Sequence, residues 1–492
     1  MRILLISPKY DQYIVAPHLG LGYLSSSLKK DGHEVKILDG AREETTYNPE
    51  EWDIIGVTAM STYFPECCME VEKAKSFGLK TIIGGPHIIC DPEQSLIDSQ
   101  ADYAAIGEGE RTINQLASGV EPHLVEGLVY WKDGKAVRSK PIDKSLIATK
   151  EMYKLRIGDQ TRDFKIDIDD FGQPDWESID PRSYPPVPHG MIAKGYPLAP
   201  IITTRGCPYS CTFCSAPITA GKRMRYRDPQ KVVDEIEMLV NEYGVKEVQI
   251  EDDNFTLTRS HVVDVCNEII KRKIKIFWSL PNGVRIDKLD YELLRLMKKS
   301  GCWMMSLGIE SGSQRILDLI KKRLSKDVVK ETVQDIRDAG IEAVGFFIIG
   351  FPTETKEEIL ETINFACSLP LNRAQFGKAT PLPGTELYYI WLEKYAKNEK
   401  IDWKTFNYYQ FYADWSECTA REISKLQTKA VFKFYCSQFR LFKTIASLRP
   451  AQYLSFFKRV IRILLSTSFY NPIFTRRSSN YKFMKTSSQN NT

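Results

Sequence analysis

Twice along this chain, short apolar runs alternate with stretches of helical periodicity, and that alternation limits the possible folds more than any other feature. In the first series the runs are RILLIS (2–7), HEVKIL (33–38), DIIGVTA (53–59), LKTIIGG (79–85) and ADYAAI (101–106). Segments such as LGLGYLSSSLKKDG and YFPECCMEVEKAKSFG separate them. Strands alternating with helices imply right-handed crossovers and a parallel, doubly wound, Rossmann-like sheet. Such sheets bind ligands in loops at the carboxyl ends of their strands. Here those loops read SPKYDQ, TAMSTYF, GGPH and GEGE. Their Gly, Ser and Thr content lets a backbone approach a large ligand closely, although the same composition also describes ordinary turns.

The second series starts at PIITT (200–204) and continues through KEVQIED, IKIFWSL, WMMSLGIE, EAVGFFIIG and RAQFGKATP. Helical stretches intervene, such as DPQKVVDEIEMLVNEYG, where Asp228 is the expected N-cap ahead of Pro229. Six strand–helix units predict a partial (β/α)6 barrel, with chemistry at the carboxyl ends of its strands. At 492 residues the chain is too long for one core. The expected division is a doubly wound domain at 1–135, an Asp- and Pro-rich wrapping linker at 136–196, a barrel at 197–395 and a helical basic region at 396–492.

The loop after the first barrel strand, RGCPYSCTFCSAP, carries Cys207, Cys211 and Cys214. A structural zinc site needs four N or S ligands, usually in two pairs. The next downstream cysteine is Cys266, and no histidine lies within 15 residues of the triplet. A disulfide would leave one thiol over, and a loop holding Gly206, Pro208 and Ser210 is a poor place for core cysteines. Ordinary electron-transfer clusters use four cysteines. Three thiolates on a four-iron cluster leave one iron for something else to bind.

Cys207-x3-Cys211-x2-Cys214, with the aromatic Phe213 before the third cysteine, resembles the radical S-adenosylmethionine (SAM) superfamily. The resemblance implies a 4Fe–4S cluster whose open iron takes the amino and carboxylate groups of SAM. It places Phe213, Asp252 and Asp253 (IEDDNF), Glu310 and Ser311 (GIESGS), and Ile349 and Gly350 (GFFIIGFPTET) around SAM. Asp252 and Asp253 would face its ammonium group, and Glu310 its ribose hydroxyls. Read without the resemblance, each aspartate serves equally as a loop charge or a helix cap. TPLPGTELY (380–388) closes the core in the same manner.

The first domain resembles the cobalamin-binding domain joined to one subset of radical SAM enzymes. The segments SPKYDQY, APHLGLGYLSSSLKKDGHEVKILDG, GVTAMSTYF, IIGGPHIICDPEQSL and DYAAIGEGE match that pattern in order. The implied cobalamin contacts are Ser61, Thr62, Gly84, Gly85, Pro86, His87, Gly107 and Glu108. The Asp-x-His-x-x-Gly motif that supplies a lower histidine to cobalt is missing, as it often is in this subset. His18 follows Ala16-Pro17 and reads as a satisfied histidine at a helix start, and His87 as a contact to the cofactor's periphery.

Together these resemblances imply an enzyme that cleaves SAM by one-electron reduction and uses the resulting 5′-deoxyadenosyl radical to take hydrogen from an unactivated carbon. A methyl group then passes from methylcobalamin to that carbon. The expected substrate is a hydrophobic, natural-product or lipid-type molecule, and the expected reductant a low-potential flavodoxin- or ferredoxin-type protein. The same architecture also serves oxidative ring closure and rearrangement. A non-catalytic cobalamin or cluster sensor would not need the GIES and GFFIIGFP segments. Cys67, Cys68 and Cys90 do not form the triad expected of methylthiolation enzymes, and only Cys418 and Cys436 lie beyond Cys367, too few for auxiliary clusters.

Hydrophobic content of 43% and charged content of 26% describe a soluble globular protein. The absence of a signal-like start or a long apolar stretch leads us to expect the cytoplasm, with all eleven cysteines reduced. Charge is uneven. Residues 421–492 hold 14 Lys and Arg against one acidic residue, Glu422, on an otherwise acidic body. YLSFFKRVIRILL (453–465) has the pattern of an amphipathic basic helix. Two readings stand level: peripheral contact with the inner membrane face, or a helical region that packs on the body and caps the barrel. Nucleic acid is not expected, because no recognised binding module accompanies the charge.

Overall fold

A computed structural model describes residues 1–9, 15–139, 167–185, 192–394, 401–411, 413–448 and 453. The first sheet contains β1 (Arg2–Ser7), β2 (Glu34–Asp39), β3 (Ile54–Thr58), β4 (Lys80–Gly84), β5 (Tyr103–Ala105), β6 (Leu128–Lys132) and β7 (Lys135–Arg138). Their order is β2-β1-β3-β4-β5-β6-β7. The first five strands are parallel, and β6 and β7 add an antiparallel hairpin at the edge. Ile3 and Leu5 enter one core while Leu4 and Ile6 enter the other. Burial on both faces is why β1 reads as an unbroken apolar run rather than an alternating one. The sheet runs through Arg138, past residue 135 and into the stretch expected to be linker.

Residues 167–185 lie against both sheets. Asp175 accepts from Ser25 Oγ at 2.6 Å and pairs with Lys29 at 2.7 Å in the first domain. Trp176 Nε1 donates to Glu235 Oε1 at 2.9 Å in the second. Tyr184 donates its hydroxyl to Asp39 Oδ2 at 2.7 Å.

The second sheet holds β8 (Leu198–Ile201), β11 (Glu247–Ile250), β12 (Phe277–Val284), β13 (Cys302–Glu310), β14 (Glu342–Ile349) and β15 (Arg373–Lys378). Their order is β15-β14-β13-β12-β11-β8, all parallel. The two-residue strands β9 (Thr204–Arg205) and β10 (Arg225–Tyr226) pair antiparallel beside the cysteine loop. Asp228 caps the helix Pro229–Glu242 by accepting from Gln230 N.

An open barrel leaves the edge of β15 exposed to unwanted pairing. Here the helix Ala420–Cys436 covers it: Gln427 Nε2 donates to Phe376 O at 2.7 Å and Tyr435 Oη to Ala374 O at 3.1 Å. Farther along, Leu448 packs with Ile192, Trp303, Met304 and Val344. The basic region through residue 448 therefore packs on the barrel, and the amphipathic stretch 454–465 lies outside the described residues. Among the described residues no helix is long and apolar enough to cross a membrane.

Candidate active site

Hydrogen bonds pin the cysteine loop at several points. Cys207 N donates to Gly221 O at 2.9 Å, Thr212 N to Ile320 O at 3.1 Å, and Leu387 N to Thr212 O at 2.9 Å. Phe213 is buried, with its ring 5.8 Å from that of Phe351, and packs against Cys211 and Cys214. The three thiols are free and half-buried. Burial pushes Cys207 up to about 11 and raises Cys211 and Cys214 as well. A nearby metal cation would reverse that penalty, because a coordinated thiol loses its proton outright. Three free thiols on one pinned loop are a donor set that fits an iron–sulfur cluster.

The other residues expected to contact SAM lie at the carboxyl ends of β11, β13 and β14. Asp252 is buried, and its carboxylate accepts from Thr203 N at 2.6 Å, Thr203 Oγ1 at 2.5 Å and Thr204 Oγ1 at 2.9 Å. It ties the end of β8 to the end of β11 and leaves little of its acceptor capacity for an ammonium group. Burial raises its carboxyl to about 6 despite those bonds. Asp253 is exposed and close enough for its charge to act on Cys207 and Cys214.

Glu310 ends β13 at an irregularity in its pairing with β14, with φ of 68° and little exposure. Lys322 Nζ lies 2.8 Å from its Oε1. A side chain on Gly308 would meet both Glu310 Oε1 and Lys322 Nζ at 2.7 Å, so that glycine makes room for the pair. Arg285 stacks over the Tyr209 ring at 3.8 Å and donates to Lys322 O at 2.9 Å, placing a second cation near Cys211. Ser311 is fully buried, and its hydroxyl lies 3.0 Å from Thr362 Oγ1. Ile349 O accepts from Ala379 N, while Gly350 N donates to Glu354 and Gly350 O accepts from Trp415 Nε1 at 2.7 Å. This fixes the turn after β14.

The expected cobalamin contacts lie in the loops at the carboxyl ends of β3, β4 and β5. Ser61 and Thr62 open the turn after β3, and Gly84, Gly85 and Pro86 follow β4. A side chain on Gly85, whose φ is 106°, would lie 2.7 Å from Ala59 O. That glycine lets the loop after β4 pack directly on the loop after β3, bringing together two of the segments expected to receive the cofactor. His87 Nδ1 sits 3.0 Å from Ser61 Oγ, with its ring 4.1 Å from Phe64 and 4.7 Å from Trp403. Burial drops its pKa to about 3, so the imidazole is neutral. His18 caps the helix Leu19–Lys30, accepting from Leu21 N at 3.3 Å. Gly107 turns with φ of 89° into Glu108.

Glu108 has a structural task. Its carboxylate accepts from Arg205 and, at 2.5 Å, from Arg225 Nη2, and so joins the two domains. Arg205 also reaches Glu110 at 3.1 Å and lies over the rings of Tyr23 and Phe171 at 5.1 and 5.0 Å. Burial alone would raise Glu108, but the two guanidiniums hold it below its ordinary value. This network fixes the cysteine loop, two residues beyond Arg205, against the end of β5.

A second bridge spans the opening. In residues 401–411, Trp403 packs edge-on to His87, and Lys404 Nζ pairs with Glu66 at 2.7 Å. Four residues after Lys404, Tyr408 O accepts from Lys378 N at 2.7 Å at the top of β15. Tyr408 is 41% exposed, and the charges of Cys214 and Glu310 both act on its phenol. Sequence reasoning did not single out Tyr408, Lys322, Arg285 or Trp403, because no local spacing marks the contacts that each makes.

The sequence matches the B12 binding domain over residues 4–117 and the Radical SAM superfamily over residues 201–366. An uncharacterized methyltransferase of Pyrococcus horikoshii is 32% identical over 467 residues, covering 90% of this chain and 95% of that protein. A cytidylyl-2-hydroxyethylphosphonate methyltransferase of Streptomyces wedmorensis is 30% identical over 434 residues, covering 78% and 80%. An anaerobic magnesium-protoporphyrin IX monomethyl ester cyclase of Rubrivivax gelatinosus is 29% identical over 435 residues, covering 83% and 72%. Among solved structures, the radical SAM methyltransferase TsrM of Kitasatospora setae, with cobalamin and a 4Fe–4S cluster bound, superposes with a TM-score of 0.67. It is 19% identical and covers 92% of this chain and 90% of its own. With a B12 domain, a three-cysteine barrel loop and full-length kinship to methyltransferases, this chain belongs to the cobalamin-dependent radical SAM enzyme family.

Proposed function

We propose that this enzyme is a C-methyltransferase acting on an unactivated carbon of a hydrophobic, natural-product or lipid-type substrate held between its two domains. The observation that carries this reading is that residues 401–411 touch both His87 and Glu66 of the first domain and the carboxyl end of β15 in the second. A substrate there would reach both cofactor sites at once. The buried aromatic cluster of Tyr388, Phe406, Phe411 and Trp415, with Trp391 packed on it, holds the segment 401–411 firmly beside Phe213 of the cysteine loop.

When bound, the cluster with SAM supplies a radical able to take hydrogen from an unactivated carbon, and cobalamin supplies a transferable methyl group. In this proposal Cys207, Cys211 and Cys214 hold the cluster. Asp253 faces the ammonium of SAM, Glu310 accepts from its ribose hydroxyls, and Ile349 and Gly350 flank its base. Lys322 holds Glu310 in place. The loops carrying Ser61, Thr62, Gly84–His87 and Gly107 receive cobalamin. Electrons come from a low-potential donor of flavodoxin or ferredoxin type.

The discriminating experiment is a product count in anoxic turnover with dithionite. Radical methylation uses one SAM as oxidant and another as methyl donor, so 5′-deoxyadenosine and S-adenosylhomocysteine should form in equal amounts. The similarity to a ring-forming cyclase supports a second reading, oxidative cyclisation, which would give 5′-deoxyadenosine without S-adenosylhomocysteine.

Two variants probe the named roles. Glu310→Gln keeps shape and removes charge from two hydrogen-bonding oxygens. Hydrogen bonds to a charged group contribute roughly 1.5–3 kcal/mol, so the SAM dissociation constant of the cluster-loaded protein should rise about ten- to a hundredfold. Tyr408→Ala should leave cluster content and SAM binding near wild type but raise the ratio of 5′-deoxyadenosine to methylated product several-fold. An unchanged ratio would remove Tyr408 from substrate positioning.

A further inference from the structure

We propose that the kink joining the helices Ala420–Cys436 and Arg440–Ser447 is a docking ledge for an anionic membrane surface. Four large apolar side chains stand out from it: Phe439 is 81% exposed, Phe442 73%, Phe432 50% and Leu441 42%. Gln438 and Phe439 both have positive φ, 53° and 57°. Left-handed backbone is costly for a bulky residue and persists only where its surroundings impose it.

Here the surroundings do impose it. Arg440 is buried, and its guanidinium donates to Leu369 O at 2.8 Å, Cys367 O at 3.1 Å and Leu371 O at 3.2 Å. Ser437 Oγ donates to Phe434 O at 2.7 Å. Arg440, Thr444 and Leu448 face inward at helical spacing, which turns Leu441 and Phe442 outward. The ledge is thus a built feature, anchored on the loop between the helix Lys356–Ser368 and β15.

Charge selects the partner. Lys425, Lys429 and Phe432 follow one another on one face of the first helix, all exposed, and Lys443 is exposed beside Phe442. The chain then continues through residues 449–492 with eight Lys and Arg and no Asp or Glu. Aromatic side chains flanked by lysines suit a headgroup region of negative charge, where each base near the surface strengthens binding roughly fivefold. A second copy placed on the same face would instead bring two basic regions together. This inference is independent of the substrate assignment.

The test is co-sedimentation of the full-length protein with vesicles of phosphatidylcholine alone or mixed with phosphatidylglycerol. We expect binding to the mixed vesicles, weakened by salt, and little to the neutral ones. Phe439→Ser with Phe442→Ser should lower partitioning roughly tenfold or more without lowering the melting temperature. Lys425→Glu with Lys429→Glu, which leaves the apolar ledge intact, should lower it as well. Absence of wild-type binding to mixed vesicles, equal binding to neutral ones, or wild-type binding by the phenylalanine pair would each overturn the proposal. So would self-association that the phenylalanine pair abolishes while vesicle binding persists.

Discussion

Anoxically reconstituted Cys211→Ala protein is expected to lose the visible charge-transfer absorption of its iron–sulfur cluster and to release 5′-deoxyadenosine only at background level. The expectation follows from the ligand set. Three thiolates are the minimum from which the loop can hold a cluster while leaving one iron open, and two cannot keep it. Folding should survive, because the loop is held by backbone bonds that do not involve the sulfur: Cys207 N to Gly221 O, Thr212 N to Ile320 O and Leu387 N to Thr212 O. The thiol is half-buried rather than packed in a core, so truncation leaves no large cavity. Cys207→Ala and Cys214→Ala should behave alike. Cys436→Ser, at an exposed thiol far from the loop in sequence, is the control and should keep full cluster content. Iron analysis and absorption spectra on matched preparations check this. Retention of the cluster in any of the three loop variants would contradict the assignment.

Arg205→Ala should be the most destabilising single substitution at the domain junction. Removing the guanidinium leaves Glu110 buried without its cation and Glu108 with Arg225 alone. Breaking a buried, hydrogen-bonded charge network from one side typically costs about 3–5 kcal/mol. The loss of packing over Tyr23 and Phe171 adds to it. Urea unfolding should show a lower midpoint, and the two domains should begin to melt separately. Arg205→Lys keeps a charge but lacks the fork that reaches Glu108 and Glu110 together, so it should recover only part of the loss. A midpoint within about 0.5 kcal/mol of wild type would show that the network does not couple the domains.

The parts of the fold that were legible in the sequence share a physical reason. Strands such as RILLIS and WMMSLGI are buried on both faces, so they stand out as continuous apolar runs whatever their partners are. Cys207, Cys211 and Cys214 were legible because their spacing is local. Glu310 was legible because a carboxylate ending a wholly buried strand has few structural uses. The end of the first sheet was less legible. Asp133 and Gly134 both take positive φ, 49° and 73°, in a two-residue turn, but the Asp- and Pro-rich stretch that follows hid most of β7, whose residues 136–138 were expected to be linker. Asp252 and Glu108 have protein partners that the sequence did not reveal. The groups that claim their oxygens come from Thr203 and Thr204 in one case and from Arg205 and Arg225 in the other. No periodicity encodes pairings separated by 48 or 49 residues in the first case and by 97 or 117 in the second. Lys322 lies only 12 residues from Glu310, but the turn and short helix between them give that pairing no periodic signal either.

The role of the cysteine loop rests on one iron remaining free of protein ligands. Mössbauer spectroscopy of iron-57-reconstituted protein, recorded before and after adding SAM, tests this most directly. The account predicts a 4Fe–4S cluster in which a single iron changes its isomer shift and quadrupole splitting on SAM addition while the others keep theirs. A cluster whose spectrum is identical with and without SAM would contradict it.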